Sequence, residues 1–235
     1  MSTASTVARP AGPLDVITLQ FANPTRLVTI PLAILGAVVV VTSAVTAVLR
    51  QHGAAGGLDS NGSVIWSLLG FVVAVGVQAV AVVFPLALAL GSTRRTFTAG
   101  VLLTAALESA LLTASSLVLL GLELLTGGWF VGARVLGDSA LGGGDALALV
   151  VVMFLATLSA LVAGAVIGAA WVRFGAVGTL VLGAAVTAVA VLALLVLAPS
   201  FAALGRAFEP WWLAIAAVAA STAGTHLLLR RAAVR

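Results

Sequence analysis

The sequence predicts an all-α integral membrane protein with six transmembrane helices, N-in and C-in, preceded by a short amphipathic interfacial helix. First, 62% of the 235 residues are hydrophobic and only 8% are charged, whereas a soluble domain carries about 25% charged residues. Too few charges remain to solvate a globular surface. Second, the mean hydropathy is +1.27. Third, six apolar stretches reach the roughly 20 residues that a helix needs to cross a bilayer.

The predicted transmembrane domain covers residues 27–229, after a cytoplasmic leader (1–26) and before a cytoplasmic tail (230–235). Its spans are residues 27–49, 63–90, 97–125, 146–171, 176–197 and 210–229. The inner connections are short, and the largest outer connection, residues 126–145, has too few apolar residues to form a domain. With no sizeable soluble portion, an energy source must be an ion gradient or another polypeptide.

The distribution of charge predicts the orientation. All eleven cationic residues are arginines. With the termini in the cytoplasm, eight lie inside (Arg9, Arg26, Arg94, Arg95, Arg173, Arg230, Arg231 and Arg235) and three outside (Arg50, Arg134 and Arg206), as the positive-inside rule requires. The acids Asp59, Asp138, Asp145 and Glu209 fall in the outer loops. The net charge of +4 therefore indicates topology and not a nucleic-acid surface.

The absent residue types exclude several kinds of chemistry. Without lysine, the chain has no Walker A loop, Schiff base or lysine nucleophile. Without cysteine, it has no disulfide, catalytic thiolate or cysteine metal site. His52 and His226 alone cannot build a zinc site. We therefore expect no catalytic residue, metal site or cofactor within this chain.

The segment before the first span has the pattern of an amphipathic helix. Leu14, Ile17 and Phe21 share one helical face, with Asp15 and Thr18 away from it. This pattern favours a helix in the plane of the inner membrane interface. A partly ordered leader is the alternative.

The inner turn between the second and third spans contains an arginine pair. Ser92 or Thr93 can cap the following helix, and Arg94 and Arg95 present positive charge that suits a partner protein. Ordinary positive-inside anchoring explains the same arginines. Upstream, Pro85 removes a backbone donor from the second span and predicts a kink that can act as a hinge.

Glu108 is the acid placed deepest in a predicted span, where an ionisable group costs roughly 2.5–3.5 kcal/mol. Gln78 lies at a similar depth in the second span, so the two can hydrogen-bond across an antiparallel helix pair, with Thr104 one turn from Glu108. One interpretation is a polar point in a substrate path or a proton-sensitive switch. The other is a protonated carboxylic acid that joins two helices.

A ridge of small residues marks one packing face of the fourth span. Ala160, Gly164 and Gly168 repeat at four-residue spacing, which lets another helix backbone approach closely. The partner helix belongs either to this chain or to a second copy.

Several segments, taken in order, resemble the small six-span permease subunits of type-2 ATP-binding-cassette (ABC) exporters from bacteria. The resemblance rests on a loose pattern and extends over most of the chain. It is carried by Asn23-Pro24-Thr25, Pro31, the Gln78 region, Pro85, and residues 91–100, 122–129 and 173–178.

The resemblance implies a location and a set of partners. The chain would lie in the bacterial cell membrane, with a second permease copy or a related permease enclosing a central path. A separate ABC ATPase dimer would bind ATP and magnesium. Leu14 to Phe21 would be the connecting helix. The coupling element that docks on the ATPase would consist of Ser92, Thr93, Arg94, Arg95, Thr96 and Phe97.

Three functional hypotheses follow. The first is the permease subunit of an ABC exporter, and the second is a proton-coupled carrier or channel centred on Glu108. An intramembrane enzyme is the weakest, because His226 lies far in depth from Glu108. Apolar spans with hydroxyl groups such as Thr113, Ser115 and Ser116 suit a hydrophobic or amphiphilic substrate better than an ion.

Overall fold

A computed structural model describes residues 12–22, 24–53, 63–204 and 222–228, without the side chains of residues 26, 63–66, 140, 182 and 185–204. Within these ranges the chain forms helices and connecting turns and contains no strand. The all-α fold class predicted from the sequence is therefore confirmed for the part of the chain described.

The described ranges contain, in chain order, a series of α-helices and short helical turns. They are α1 (Pro13–Phe21), a π-helical turn (Thr25–Thr29), α2 (Ile30–Gln51), α3 (Ser63–Ala81), α4 (Val83–Ala89), α5 (Arg94–Leu125), a 3₁₀ turn (Ser139–Leu141) and α6 (Ala146–Leu204). Residues 222–228 are also helical.

Four stretches of these helices are long and apolar enough to cross a membrane: Leu27–Gln51, Ser67–Ala89, Arg94–Leu125 and Ala146–Val181. They overlap the first four predicted spans. The predicted fifth span, residues 176–197, is helical, but most of its side chains lie outside the described residues. Most of the predicted sixth span lies outside them too.

Polar caps set where helices begin. The Oγ1 of Thr93 accepts a hydrogen bond from the backbone N–H of Thr96 at 3.2 Å, so α5 starts at Arg94. The Oδ1 of Asp145 accepts one from the backbone N–H of Leu147 at 2.8 Å and starts α6. Of the two predicted cap residues of α5, Thr93 is the one that caps.

Two breaks interrupt the long apolar helices. The second span is divided at Val82, between α3 and α4, because Pro85 has no N–H to donate to the carbonyl of Ala81. Gly175 (φ 70°, ψ −170°) divides α6 into residues 146–174 and 176–204, in a left-handed conformation that favours glycine. The breaks lie where the sequence predicts a kink and an inner turn. The hinge role of Pro85 stays a prediction.

The second and fourth spans pack with unusually close backbones. A Cβ atom at Gly76 would collide with the carbonyl oxygen of Leu161, and one at Gly164 would collide with that of Val73 and approach the Cα of Gly76 to 2.9 Å. One turn further, a Cβ at Gly168 would collide with the carbonyl oxygen of Val77. The partner of the predicted small-residue ridge is thus α3 of the same chain.

Buried side chains form two clusters at different heights of the bundle. The smaller cluster lies where α1, α4 and the start of α5 meet, which we call the α1 end; its members are Val16, Val80, Phe84, Ala87, Phe97, Val101, Ala165 and Ala169. At its centre, the rings of Phe84 and Phe97 meet edge to face, with centroids 5.0 Å apart. The larger cluster fills the remaining core.

The connection between α5 and α6 belongs to this larger cluster. Ala133, Val135, Leu136 and Leu141 are each at most 3% exposed and pack into the core. Residues 126–145 therefore close the opposite end of the bundle with packed side chains. We call this end the loop end.

Substituting Gly164 with alanine tests the helix crossing. The added methyl group must push α3 and α6 apart, so we expect Gly164→Ala to lower the free energy of unfolding by about 1–3 kcal/mol. The matched control is Gly121→Ala in α5, where a Cβ meets no atom within 4 Å. Thermal unfolding in detergent, followed by circular dichroism, measures both. Equal melting temperatures for the two variants would contradict the crossing.

Candidate functional site

The turn between the second and third spans has a rigid backbone. Gly91, which follows the C-cap residue Leu90 of α4, adopts a left-handed conformation (φ 85°). Its N–H donates to the carbonyl of Leu88 at 3.0 Å, and the N–H of Ser92 donates to that of Ala87 at 3.0 Å. These two bonds form a Schellman motif, which closes the end of a helix. The Thr93 cap follows at once, so the turn is hydrogen-bonded on both sides.

The six residues predicted to contact an ATPase differ in accessibility. Thr93 and Arg95 are exposed, and Arg94 and Thr96 are half-buried. Ser92 is 6% exposed and Phe97 is fully buried. Because the ring of Phe97 packs against Phe84, it supports the turn from inside and cannot itself touch a partner. The accessible surface of the turn is therefore centred on Thr93 and Arg95.

Helix α1 packs directly beside this turn. A Cβ at Gly100 of α5 would lie 2.6 Å from the Cβ of Val16 and 3.0 Å from the carbonyl oxygen of Pro13, so the two helices are in close contact. The residues of α1 that are buried are Val16 and Gln20.

The face of α1 that the sequence predicts to lie on the membrane interface, with Leu14, Ile17 and Phe21, is not the face that packs against protein. Leu14 is 70% exposed, and Ile17 and Phe21 are half-buried, because α1 packs against protein through the face that holds Val16. The outward direction of Leu14 is compatible with contact to lipid. The placement of α1 at a membrane interface stays a prediction.

Of the predicted polar set Gln78, Thr104 and Glu108, the structure buries Thr104 and Glu108 one turn apart on the same face of α5. Glu108 is 2% exposed, whereas Gln78 lies on an exposed face of α3. The hydroxyl of Thr104 donates to the carbonyl of Gly100 in its own helix at 2.9 Å. α3 packs mainly along α6, and the Gln78–Glu108 hydrogen bond stays a prediction.

Glu123 is the acid whose importance the sequence did not reveal. It is 3% exposed and lies near the end of α5. Its carboxylate accepts backbone N–H bonds from Val135 (3.1 and 3.2 Å), Leu136 (2.8 Å) and Gly137 (2.8 Å), and an indole N–H bond from Trp129 (3.0 Å). Hydrogen bonds to an ionised acceptor are the strong ones. Glu123 thus holds residues 129–137 against α5 at the loop end.

The backbone beside Glu123 is strained. Trp129 (φ 56°) and Phe130 (φ 63°) both adopt left-handed conformations, which are costly for residues other than glycine. The N–H of Trp129 donates to the hydroxyl of Thr126 at 2.9 Å. From the first span, the guanidinium of Arg50 donates to the carbonyl of Gly132 at 3.0 Å. Several polar bonds therefore hold the loop in a conformation that its local sequence does not favour.

No protein-family model, curated protein or solved structure matches this chain. Across the described residues, no three histidine, aspartate or glutamate side chains come together as metal ligands. A function for the chain therefore rests on its own residues, and the accessible turn at the α1 end is the feature most suited to an external partner.

Replacing Glu123 with glutamine tests how residues 129–137 are held against α5. A neutral amide weakens the bonds from the three backbone N–H groups, each worth about 1.5–3 kcal/mol when the acceptor is charged. We expect amide hydrogen exchange of Val135, Leu136 and Gly137 to accelerate by at least about tenfold, measured by mass spectrometry. Glu108→Gln, the same change in the same helix, is the control. Unchanged protection in Glu123→Gln would disprove this role of Glu123.

Proposed function

We propose that this chain is the permease subunit of an ABC exporter, with six spans and both termini on the cytoplasmic side of a bacterial cell membrane. Four helices of sufficient length and apolarity support its place in a membrane. The complete absence of lysine supports a separate ATP-binding chain, because a Walker A loop cannot form here. ATP and magnesium would then bind to a partner ATPase dimer.

The observation that carries this proposal is the construction of the turn at the α1 end. Its surface presents Thr93 and Arg95, while Phe97 anchors it to Phe84 on the preceding helix. A force applied to the turn thus acts on α4 and α5 together. A coupling element between an ATPase and two transmembrane helices needs this combination of an accessible surface and a rigid mount.

The proposed mechanism is hinge gating. Closure of the ATPase dimer on ATP would displace the turn, and the break at Val82 would allow α4 to tilt relative to α3. α1, packed at Gly100, would move with α5. A second permease copy, or a related permease, would complete the path for a hydrophobic or amphiphilic substrate.

A proton-coupled carrier centred on Glu108 is the second candidate, and the burial of this carboxyl group within the third span favours it. The variant Glu108→Gln distinguishes the two candidate functions. If the chain is an exporter subunit, Glu108→Gln in proteoliposomes with the ATPase retains ATP-driven transport that does not follow an imposed pH gradient. If it is a proton carrier, pH-driven flux occurs without the ATPase and is lost in Glu108→Gln.

Charge reversal at Arg95 tests the coupling surface. We expect Arg95→Glu to weaken association with the co-expressed ABC ATPase by about tenfold, because a favourable charge contact becomes repulsive. Affinity is measured by surface plasmon resonance, together with ATP turnover of the complex. Arg134→Glu is the control, since Arg134 is also exposed but lies at the loop end. Equal affinities for both variants and the wild type would refute the assignment.

A further inference from the structure

A cavity of about 190 Å³ lies at the α1 end, between α1 and the first two spans. From α1 it is lined by Leu19 and Gln20, from the start of the first span by Leu27, and from the second span by Val75, Ala79 and Val83. For comparison, an apolar cavity of about 150 Å³ is large enough to bind benzene. The space therefore holds more than a single ordered water molecule.

Gln20 carries the polar side chain among the residues that line this cavity. Its side chain is 8% exposed, and its Nε2 is buried without a hydrogen-bond partner in the part of the chain that the structure describes. A buried donor without a partner is destabilising. A ligand that places an acceptor beside Nε2 would remove this destabilisation.

The shape of the cavity matches its position in a membrane protein. Along the second span, Val83 and Val75 are eight positions apart, so the apolar wall is about 12 Å long at 1.5 Å per residue. The cavity is partly open. Gln20 lies on α1, beside the first residues of the first span, and the wall extends from there toward the middle of the bundle.

We propose that this cavity binds one acyl chain of a membrane phospholipid, with the ester carbonyl accepting a hydrogen bond from Nε2 of Gln20. The carbonyl of a phospholipid lies at the edge of the hydrocarbon core, and its chain extends inward from there. The ester carbonyl matches the amide of Gln20, and the methylene groups that follow it match the apolar side chains of the second span. The site requires only that the chain lies in a membrane and is independent of the exporter proposal.

Photolabelling in lipid nanodiscs tests this site. Two probes are used: a phosphatidylethanolamine with a diazirine close to the acyl carbonyl, and one with the diazirine near the methyl end of the chain. We expect the first probe to label residues 19–22 and the second to label residues 75–79, as mapped by mass spectrometry. Both signals should exceed labelling of the exposed α2 positions Val40 and Val41.

Two variants separate the roles of the donor and the wall. Gln20→Leu removes the donor to the ester carbonyl. The labels of both probes should then spread along the cavity, and the melting temperature should not fall. Ala79→Phe fills the cavity and should abolish labelling. Gln78→Leu, on the exposed face of the same helix, is the matched control and should behave as wild type.

Three outcomes would overturn the proposal. Labelling of the cavity no stronger than that of α2 would mean that no lipid is held there. An unchanged label pattern in Gln20→Leu would remove the role of the donor. Labelling that persists in Ala79→Phe would mean that the labelled lipid does not occupy the cavity.

Discussion

The close crossing of α3 and α6 at Gly76 and Gly164 is the contact on which the remaining packing depends. Lipid chains are as apolar as leucine, so helices in a membrane gain little from hydrophobicity alone and associate through close van der Waals contact. Once the two backbones touch, α6 directs Ala165 and Ala169 into the cluster at the α1 end. Toward the other end, the same helix directs Leu149 and Met153 into the larger core, into which residues 126–145 also pack.

The two ends of the bundle are stabilised by different kinds of interaction. At the α1 end the chain turns within a few residues, and the turn satisfies its own backbone while Phe84 and Phe97 fill the interior. At the loop end a long irregular segment packs into the core, and the buried N–H groups of Val135, Leu136 and Gly137 donate to a side chain and not to a helix carbonyl. Such groups are costly when unsatisfied, and the carboxylate of Glu123 supplies the acceptor.

Sequence reasoning succeeded where a local rule determines the structure. Apolar length predicted the first four spans, Pro85 predicted the break near Val82, and the small-residue spacing identified the face of Gly164 that packs. It is weaker where rotation or neighbour order decides. Equal depth suggested that Gln78 meets Glu108, but depth does not show which helix lies beside which, and Gln78 is exposed whereas Glu108 is buried. The partners of Glu123 are twelve to fourteen residues away in a loop without a regular pattern, so no periodicity could reveal them.

The backbone breaks and the polar contacts of the loop are placed so that the bundle can move at the α1 end and not at the loop end. The helix crossing lies between the two ends, and both backbone breaks, at Val82 and Gly175, lie on its α1 side. On the opposite side, Glu123 and Arg50 tie the loop to two different helices. A displacement of the turn at Thr93 would therefore be absorbed mainly by the segments below the crossing. In the proposed exporter, the inner half of the path would open and close against an outer half that the loop keeps in place.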